Sequence, residues 1–181
     1  MGDPRRLKKK YRGPRHLWQK ARIEEEKKIL KTYGLKNKTE IWKAGSQLRS
    51  ITKQAKKLLA DNTKQGEKEK AALLKKLQRL SLITADQGLD EVLGLKLNNF
   101  LERRLQTLLV KKGLARTVSQ ARQMIVHNHV NVGGKNITSP SYFVSATEED
   151  QISFAGNSTF SNSEHPERMV VSSKTSKGVE Q

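Results

Sequence analysis

The chain has 181 residues, of which 34% are hydrophobic and 30% are charged, so its apolar core must be small relative to its surface. Its 36 Lys and Arg residues face only 18 acidic residues, which gives a formal net charge of +18 at neutral pH. The absence of cysteine excludes disulfides, thiolate zinc sites and cysteine nucleophiles. No apolar run approaches the roughly 20 residues of a membrane-spanning helix, so we expect a soluble, cytoplasmic protein. Because phosphates that pair with Lys and Arg release counterions, nucleic acid is the leading expected partner, ahead of an anionic membrane surface.

The positive charge is concentrated on the N-terminal side. Residues 1–79 hold 25 Lys and Arg against 8 acids, residues 80–144 hold 8 against 4, and residues 145–181 hold 3 against 6. This asymmetry predicts a cationic N-terminal region, a compact middle and a tail that stays away from a polyanion. Four parts are expected: a basic extended arm at 1–20, a lysine-rich helical domain at 21–97, a small α+β domain at 98–154, and a Ser- and Asn-rich tail at 155–181 that is disordered unless it docks on a partner.

The arm combines basic residues with two flat side chains. Residues 1–20 contain eight Lys or Arg and two prolines, without apolar periodicity, which predicts extended backbone. A solvated tail is the alternative, but the total charge favours an arm that binds a polyanion. Tyr11 and Trp18 are rigid groups that could stack or pack on a partner. The residues of the arm expected to bind nucleic acid are Arg5, Arg6, Lys8, Lys9, Lys10, Arg12 and Arg15.

Three helices are predicted after the arm, over about 22–33, from about Thr39, and over roughly 64–80. The second helix has an apolar face formed by Ile41, Ala44, Leu48, Ile51, Ala55 and Leu58. Its opposite face carries Lys43, Arg49, Lys53, Lys56 and Lys57. The third helix repeats the pattern with Ala71, Leu74 and Leu77 inside. We expect one apolar seam shared by all three helices, followed by a connection over 81–95 with one short helical turn.

The α+β domain should begin with two helices. Asn98 and Asn99 are placed to cap a single helix through residue 112, which Gly113 would end in the left-handed conformation. Thr117 and Gln120 have the spacing of a capping box at the start of the next helix. The expected buried face of that helix consists of Val118, Ala121 and Ile125.

A hairpin and further strands are predicted next. Residues 130–132 alternate, Gly133-Gly134 is typical of a two-residue turn, and residues 136–138 continue the alternation. Short strands are expected over 141–145 and 151–154. The fold class is therefore α+β, with a groove where the helix pair meets the hairpin. The residues expected to contact nucleic acid there are Arg103, Arg104, Arg116, Ser119, Arg122, Gln123, His127 and Lys135, among which we expect Arg116 and Arg122 to be dispensable for folding.

The paired histidines in His127-Asn128-His129 lie where the predicted helix ends. Zinc needs about four ligands, and His16 and His165 are far along the chain, so we expect no metal site. No catalytic triad and no nucleotide or cofactor fingerprint is found, so neither catalysis nor a cofactor or small-molecule substrate is expected. The pattern is typical of a helix C-terminus that turns into a strand. There His127 gains from the helix dipole and can donate to a phosphate.

The stretch RRLQTLLVKKGLARTVSQARQMIVHNHVNVGGKNITSPSYFV resembles the small RNA-binding domain named after ribosomal protein four of the small subunit. The opening MGDPRR and the segment YGLKNKTEIWKA resemble the archaeal and eukaryotic form of that protein family, so the resemblance spans roughly residues 1–150. The family usually has glycine between the two histidines. Asn128 is the next best residue for left-handed backbone. The shared features are Arg104-Leu105, the turn 113–117, Ala121-Arg122-Gln123, the two histidines, Gly134-Lys135 and residues 140–142.

The resemblance implies a protein that binds small-subunit ribosomal RNA directly. It also implies an early role in assembly of the subunit body and a contribution to translational accuracy, together with neighbouring small-subunit proteins. An RNA-directed enzyme or accessory factor is the alternative, because the same small domain occurs attached to pseudouridine synthases and to a tyrosyl-tRNA synthetase. Outside that domain, however, the chain is short and lysine-rich, with no catalytic carboxylate in an apolar setting. A DNA-compacting or membrane-surface protein is a third, weaker option.

Overall fold

The computed structural model describes residues 9, 11–84, 86–162 and 165–166. Within them the fold is α+β, as predicted, with a small antiparallel sheet beside a set of helices. The elements are α1 Lys20–Tyr33, α2 Lys38–Ala60, α3 Lys64–Arg79, α4 Leu89–Gly94, α5 Leu97–Glu102, α6 Leu105–Lys111, α7 Val118–Val126, β1 Val130–Val132, β2 Lys135–Asn136, α8 Ala146–Glu149, β3 Ile152–Phe154 and a 3-10 turn Thr159–Ser161.

Helix α2 is the longest of the described helices. Its 23 residues make it roughly 35 Å long, and its predicted apolar face is buried or half-buried along its whole length. The N-terminal half packs Ile41 and Ala44 in a cluster with Leu35 and Leu101. The C-terminal half packs Ala55 and Leu58 in a second cluster, which also contains Leu73, Leu77, Ile83, Leu89 and Val92.

The prediction of one seam shared by three helices is therefore wrong. Helices α1 and α3 have 14 and 16 residues, so each covers only part of α2 and they lie in separate clusters. In α3 the buried residues are Gly66, Leu73 and Leu77; the predicted Leu74 is half-buried and the predicted Ala71 is exposed. The predicted helical turn in the connection is confirmed as α4, which completes the second cluster.

The predicted single helix through residue 112 is also wrong, because it breaks at Arg103 and Arg104. The backbone of Arg104 is extended (φ −74°, ψ 142°) and forms an antiparallel bridge with Phe143. The Leu105 N–H donates to the Tyr142 carbonyl oxygen at 2.8 Å, and the Val144 N–H donates to the Arg103 carbonyl oxygen at 3.2 Å. These bonds replace the helical ones lost at the break.

Two details around this break also differ from expectation. The N-cap of α5 is Lys96, so neither Asn98 nor Asn99 caps the helix. The strand predicted over 141–145 is reduced to the single bridge between Arg104 and Phe143. The segment is instead followed by α8, which begins at a capping box formed by Ser145 and Glu148.

The turn chemistry of the α+β domain is confirmed. Gly113 and Asn128 both have left-handed backbone, with φ of 70° and 63°. Gly133 and Gly134 have φ of 58° and 77° and connect β1 to β2, in a sheet of order β2-β1-β3. The Thr117 hydroxyl accepts from the Gln120 N–H, as the capping pattern predicts. The core behind the sheet consists of Leu105, Leu108, Leu109, Ala115, Ala121, Met124, Ile125, Val130, Val132, Val144 and Ile152.

Ordered structure continues past residue 154, where the tail was expected to begin. Ala155 and Ser158 are buried, and the Ser158 hydroxyl lies 2.9 Å from Nδ1 of His129. The Phe160 ring packs edge-on against His129 with centroids 5.1 Å apart. Apart from His165 and its neighbour at 166, the predicted tail beyond 162 lies outside the described residues.

Candidate nucleic-acid interface

The cationic face of α2 consists of Lys43, Arg49, Lys53, Lys56 and Lys57, all of which are exposed. The helical period places these residues opposite the buried face, which is why the sequence correctly predicts that they are exposed. Among the ion pairs of the described residues, none joins one of these five side chains to a carboxylate. This face is therefore available to an anionic partner.

The described part of the arm contacts α2 and forms a groove of about 400 Å³ with it. The Arg12 N–H donates to the Ser46 hydroxyl at 3.0 Å, and the Tyr11 ring packs 6.5 Å from that of Trp42. The lining of this arm groove is Lys9, Tyr11, Arg12, Ser46, Arg49, Ser50 and Lys53. Four cations and three hydroxyls without an acid make it suited to phosphate.

Only some of the predicted arm residues can be placed. Lys9 and Arg12 line the arm groove, whereas Arg15 is exposed and is not part of its lining. Four further residues of the predicted set lie outside the described residues. These are Arg5, Arg6, Lys8 and Lys10.

An interdomain cleft of about 310 Å³ separates α2 from the α+β domain. At its centre Glu40 accepts from two arginines: Arg104 Nη2 lies 2.7 Å from one carboxylate oxygen, and Arg122 Nη2 lies 2.9 Å from the other. The lining is Glu40, Lys43, Ala44, Gln47, Arg104, Arg122, Pro140, Ser141 and Phe143. With three cations against one carboxylate, the cleft keeps an excess of positive charge.

The pKa of Glu40 reflects both its burial and its partners. Burial alone raises the pKa, but the hydrogen bonds and positive charges of Arg122 and Arg104 outweigh it, so the net pKa lies below the usual glutamate value. Glu40 is therefore ionised at neutral pH and forms a charged tie between α2 and the α+β domain. Gln106 makes a second tie, since its side-chain amide donates to the carbonyl oxygens of Gly34 and Val118.

The structure divides the predicted arginines of the α+β domain. The Arg104 side chain is only 4% exposed and is occupied by Glu40. Arg103 is paired with Glu149 at 2.8 Å, and its side chain is 13% exposed. Both arginines therefore form ion pairs within the free chain. Arg122 is 26% exposed and lines the cleft.

The remaining predicted residues lie on two other parts of the surface. Ser119, Gln123 and His127 are exposed and four residues apart on α7, so they share one edge of that helix. Gln123 and His127 line a recess of about 350 Å³. Arg116 is exposed before the helix, and Lys135 is exposed on β2 outside the linings of the groove, the cleft and this recess. The structure therefore does not bring the predicted residues together: Arg104 and Arg122 line the cleft, Ser119, Gln123 and His127 lie at one edge of α7, and Arg103, Arg116 and Lys135 lie elsewhere.

The two histidines differ in their surroundings. His127 is exposed at the C-cap of α7, where its N–H donates to the Gln123 carbonyl oxygen. His129 is half-buried and is held by Ser158 and Phe160. Within the described part of the chain, no three His, Asp or Glu side chains are grouped as metal ligands would be. No helix in that part is long and apolar enough to cross a membrane.

Sequence reasoning missed two acids that organise the helical domain, the buried Glu26 and the half-buried Glu40. Glu40 was noted only inside the segment YGLKNKTEIWKA, as part of a resemblance. Glu26 accepts from Arg22 Nη1 at 2.5 Å and from the Trp42 indole N–H at 3.0 Å. Burial raises the pKa of Glu26, but the hydrogen bonds from Trp42 and Arg22 more than offset this, and the net pKa is lowered. Arg22 is four residues from Glu26 on the same helix, so this pair could have been identified from its spacing. Trp42, Arg104 and Arg122 lie on other elements than the acids they contact, or far along the chain, and residue spacing does not identify them.

Comparison with known proteins agrees with this two-part construction. Residues 5–102 match a family model described as the ribosomal protein S4/S9 N-terminal domain, and residues 103–152 match the S4 domain. The matches meet at the helix break, five residues after the predicted boundary.

Curated relatives cover nearly the whole chain. The small ribosomal subunit protein uS4 of Methanococcus maripaludis strain C7 is 50% identical over 175 residues, which are 96% of this chain and 98% of the relative. The protein of the same name from Methanococcus aeolicus strain Nankai-3 is 52% identical over 169 residues, covering 93% of this chain and 96% of the relative. The chain therefore belongs to the uS4 family of small ribosomal subunit proteins.

Proposed function

We propose that this chain is a structural constituent of the small ribosomal subunit that binds small-subunit ribosomal RNA directly and catalyses no reaction. The observation that carries the proposal is the cationic face of α2, on which Lys43 lines the interdomain cleft and Arg49 and Lys53 line the arm groove. A rigid helix holds these charges at fixed spacing, which suits recognition of RNA shape and phosphate positions more than base sequence. The names of the relatives support the same assignment.

The cations of α2 would provide affinity for the RNA, and the interdomain cleft would fix the orientation of the bound RNA. Arg122 and Lys43 face it, and the charge of Glu40 does not balance its three cations. A phosphate in the cleft would gain from both side chains while Arg104 stays on Glu40 as a positioning residue. The edge of α7 with Ser119, Gln123 and His127, together with the exposed Arg116 and Lys135, is proposed as a second RNA contact. The arm residues proposed for RNA contact include Lys9 and Arg12, which line the arm groove.

The proposal extends to the biological setting. Because isolated like charges repel, the chain gains stability when RNA neutralises them, which fits early binding during assembly of the subunit body. A cytoplasmic location in the subunit, a contribution to translational accuracy and contacts with neighbouring small-subunit proteins follow from membership of the family. The net negative charge of residues 145–181 makes a protein the more suitable neighbour there.

The chemistry of Glu26 and Glu40 does not favour an RNA-directed enzyme. Glu26 and Glu40 are both paired with arginines, and the pKa of each is lowered rather than raised towards neutrality. A general acid needs a carboxyl that still holds its proton near neutral pH. Neither residue meets that requirement, and no second function is proposed.

The salt dependence of RNA binding tests the proposal. Binding of the full chain to a small-subunit RNA transcript from Methanococcus maripaludis should weaken on the order of a thousandfold between about 50 and 200 mM salt, as expected for six or more neutralised phosphates. Replacing Lys43, Lys53 and Lys56 together by glutamine should make the log–log salt slope shallower by about 1 per lysine.

The matched control is Lys111→Gln. The ammonium of Lys111 lies 2.8 Å from Glu102 and is already compensated, so this variant should change the slope less than any of the α2 lysines. A nearly flat salt dependence of the unmodified chain would contradict direct RNA binding. An equal effect of Lys111→Gln would contradict the assignment of the contact to α2.

A further inference from the structure

The two aromatic residues of the arm have different surroundings. Tyr11 is half-buried, and its ring packs beside that of Trp42, so it belongs to the fold of the arm itself. Trp18 is 90% exposed, beside Leu17, which is 63% exposed. A large indole in water is unfavourable, and an exposed pair of this kind is typical of a contact with a partner.

The backbone that presents Trp18 is anchored rather than loosely attached. Arg22 Nη2 donates to the carbonyl oxygens of His16 at 3.0 Å and Leu17 at 2.9 Å. The same guanidinium donates through Nη1 to the buried carboxylate of Glu26. A buried charge therefore fixes the chain just before Trp18, and the indole lies outward from a defined support.

The charge around Trp18 selects the class of partner. Between residues 9 and 22 the chain carries Lys9, Lys10, Arg12, Arg15, Lys20 and Arg22 and contains no acid. An apolar pocket on another protein would satisfy the indole but not these cations. RNA satisfies both, because a phosphate backbone meets the cations and an unpaired base offers a flat apolar face for stacking.

We infer that Trp18 stacks on an unpaired base of the RNA held by the cationic face of α2. This inference rests on the proposed function and adds a base contact to an interface otherwise made of phosphate contacts. Bases inside an RNA helix are already stacked, so the partner base must lie in a loop, a bulge or a junction. Leu17 would pack beside the same nucleotide.

The affinity of Trp18 variants of the full chain tests the inference. With the Methanococcus maripaludis small-subunit RNA transcript as probe, Trp18→Ala should bind on the order of tenfold more weakly, which is the usual loss for one stacked base. Trp18→Phe keeps a ring and should remain within about threefold of the unmodified chain. Trp18→Leu is apolar without a ring and should resemble the alanine variant.

Two further measurements separate stacking from other effects. The salt slope should be the same for all variants, because no charge changes. Thermal unfolding of the free variants should also be unchanged, since Trp18 is exposed. The difference in fluorescence between the unmodified chain and Trp18→Phe reports the indole of Trp18, and RNA should quench it.

Each contrary result has a distinct meaning. If Trp18→Ala binds RNA as tightly as the unmodified chain and with the same steep salt slope, the stacking contact is overturned and the proposed function stands. If Trp18→Leu binds the RNA as tightly as the unmodified chain while Trp18→Ala does not, the contact is apolar rather than stacked, and the inference is overturned. If Trp18→Ala loses only the binding of another subunit protein, the partner is a protein. If the unmodified chain does not bind the RNA at all, the proposed function itself fails.

Discussion

The helical domain and the α+β domain use their basic residues in opposite ways. The five side chains of the cationic face of α2 form no ion pair with a described carboxylate, whereas Arg103, Arg104 and Arg122 of the α+β domain are all held by glutamates. The two sets look alike in the sequence. The chain has 36 Lys and Arg but only 18 acidic residues, so many cations have no acid to pair with. The positions of the acids therefore decide which cations remain free for a partner.

Glu40 shows this most clearly. Glu40 belongs to the same helix as the cationic face, yet it accepts hydrogen bonds from Arg104 and Arg122, which lie 64 and 82 residues further along the chain. One side of α2 therefore ties the two domains together, and the adjacent side offers charge to a partner. The following predictions, ordered by the size of the expected effect, test this division.

Replacing Glu40 by glutamine should have the largest effect on stability. Loss of the carboxylate leaves the nearly buried guanidinium of Arg104 without a counter-charge, which should lower the free energy of unfolding by about 3 kcal/mol. Chemical denaturation of the free chain measures this. Glu102→Gln is the control, because its pair with Lys111 is half-exposed and should contribute less than about 0.5 kcal/mol. Equal losses in the two variants would refute the interdomain tie.

Acidification should weaken the same tie, because protonation removes the negative charge with which Glu40 holds Arg104 and Arg122. The pKa of Glu40 and that of Glu26 are lowered in the folded chain. Their contribution is therefore complete above the unfolded-state pKa of about 4.3 and is lost as pH falls through the lower folded values.

Unfolding measured from pH 6 down to pH 3 should show this loss, and Glu40→Gln should show a shallower one because the contribution of Glu40 is then absent at every pH. Parallel curves for the two proteins would contradict the role given to Glu40. The sign is fixed by the direction of the pKa shifts: stability must fall, not rise, on acidification.

Arg122→Ala should lower the free energy of unfolding by about 1.5 kcal/mol, because a charged hydrogen bond to Glu40 is lost at a partly exposed site. Arg116→Ala should change it by less than about 0.5 kcal/mol, since that side chain is exposed. This prediction differs from the one made from sequence, in which both arginines were expected to be dispensable for folding. Thermal unfolding of the two variants distinguishes these two predictions. Equal stability of Arg122→Ala and Arg116→Ala would favour the prediction made from the sequence.

The smallest effect on stability is expected on the cationic face itself. Replacing Lys53 and Lys56 by glutamine should change the free energy of unfolding by less than about 0.5 kcal/mol, and the reduced self-repulsion favours a slight increase. Denaturation at low salt measures this most sensitively. A loss above 1 kcal/mol would mean that these lysines support the fold, contrary to the contrast between the domains.

Local patterns predicted much of the fold. The apolar period located α2, α3 and α7, and glycine or asparagine at positions 113, 128, 133 and 134 located the turns. These features depend on residues close together in the chain. The break at Arg103 and Arg104 was missed because it depends on a bridge to Phe143, about forty residues away, and on Glu40 from the other domain.

The candidate site was predicted in its residue types but not in its arrangement. Exposure of the α2 lysines follows from helical geometry alone, so they were placed correctly. The partners of Arg103 and Arg104 depend on how distant elements meet, and both residues proved to be held inside the free chain. The packing of Phe160 on His129 has the same origin, since a Ser- and Asn-rich composition gave no sign of it.

A structure of the chain bound in a small ribosomal subunit tests the central claim most directly. We predict RNA phosphate oxygens within hydrogen-bonding distance of Lys43, Arg49 and Lys53, with Glu40 still between Arg104 and Arg122. A cationic face of α2 turned towards solvent or towards another protein, with no phosphate near these three side chains, would contradict the account.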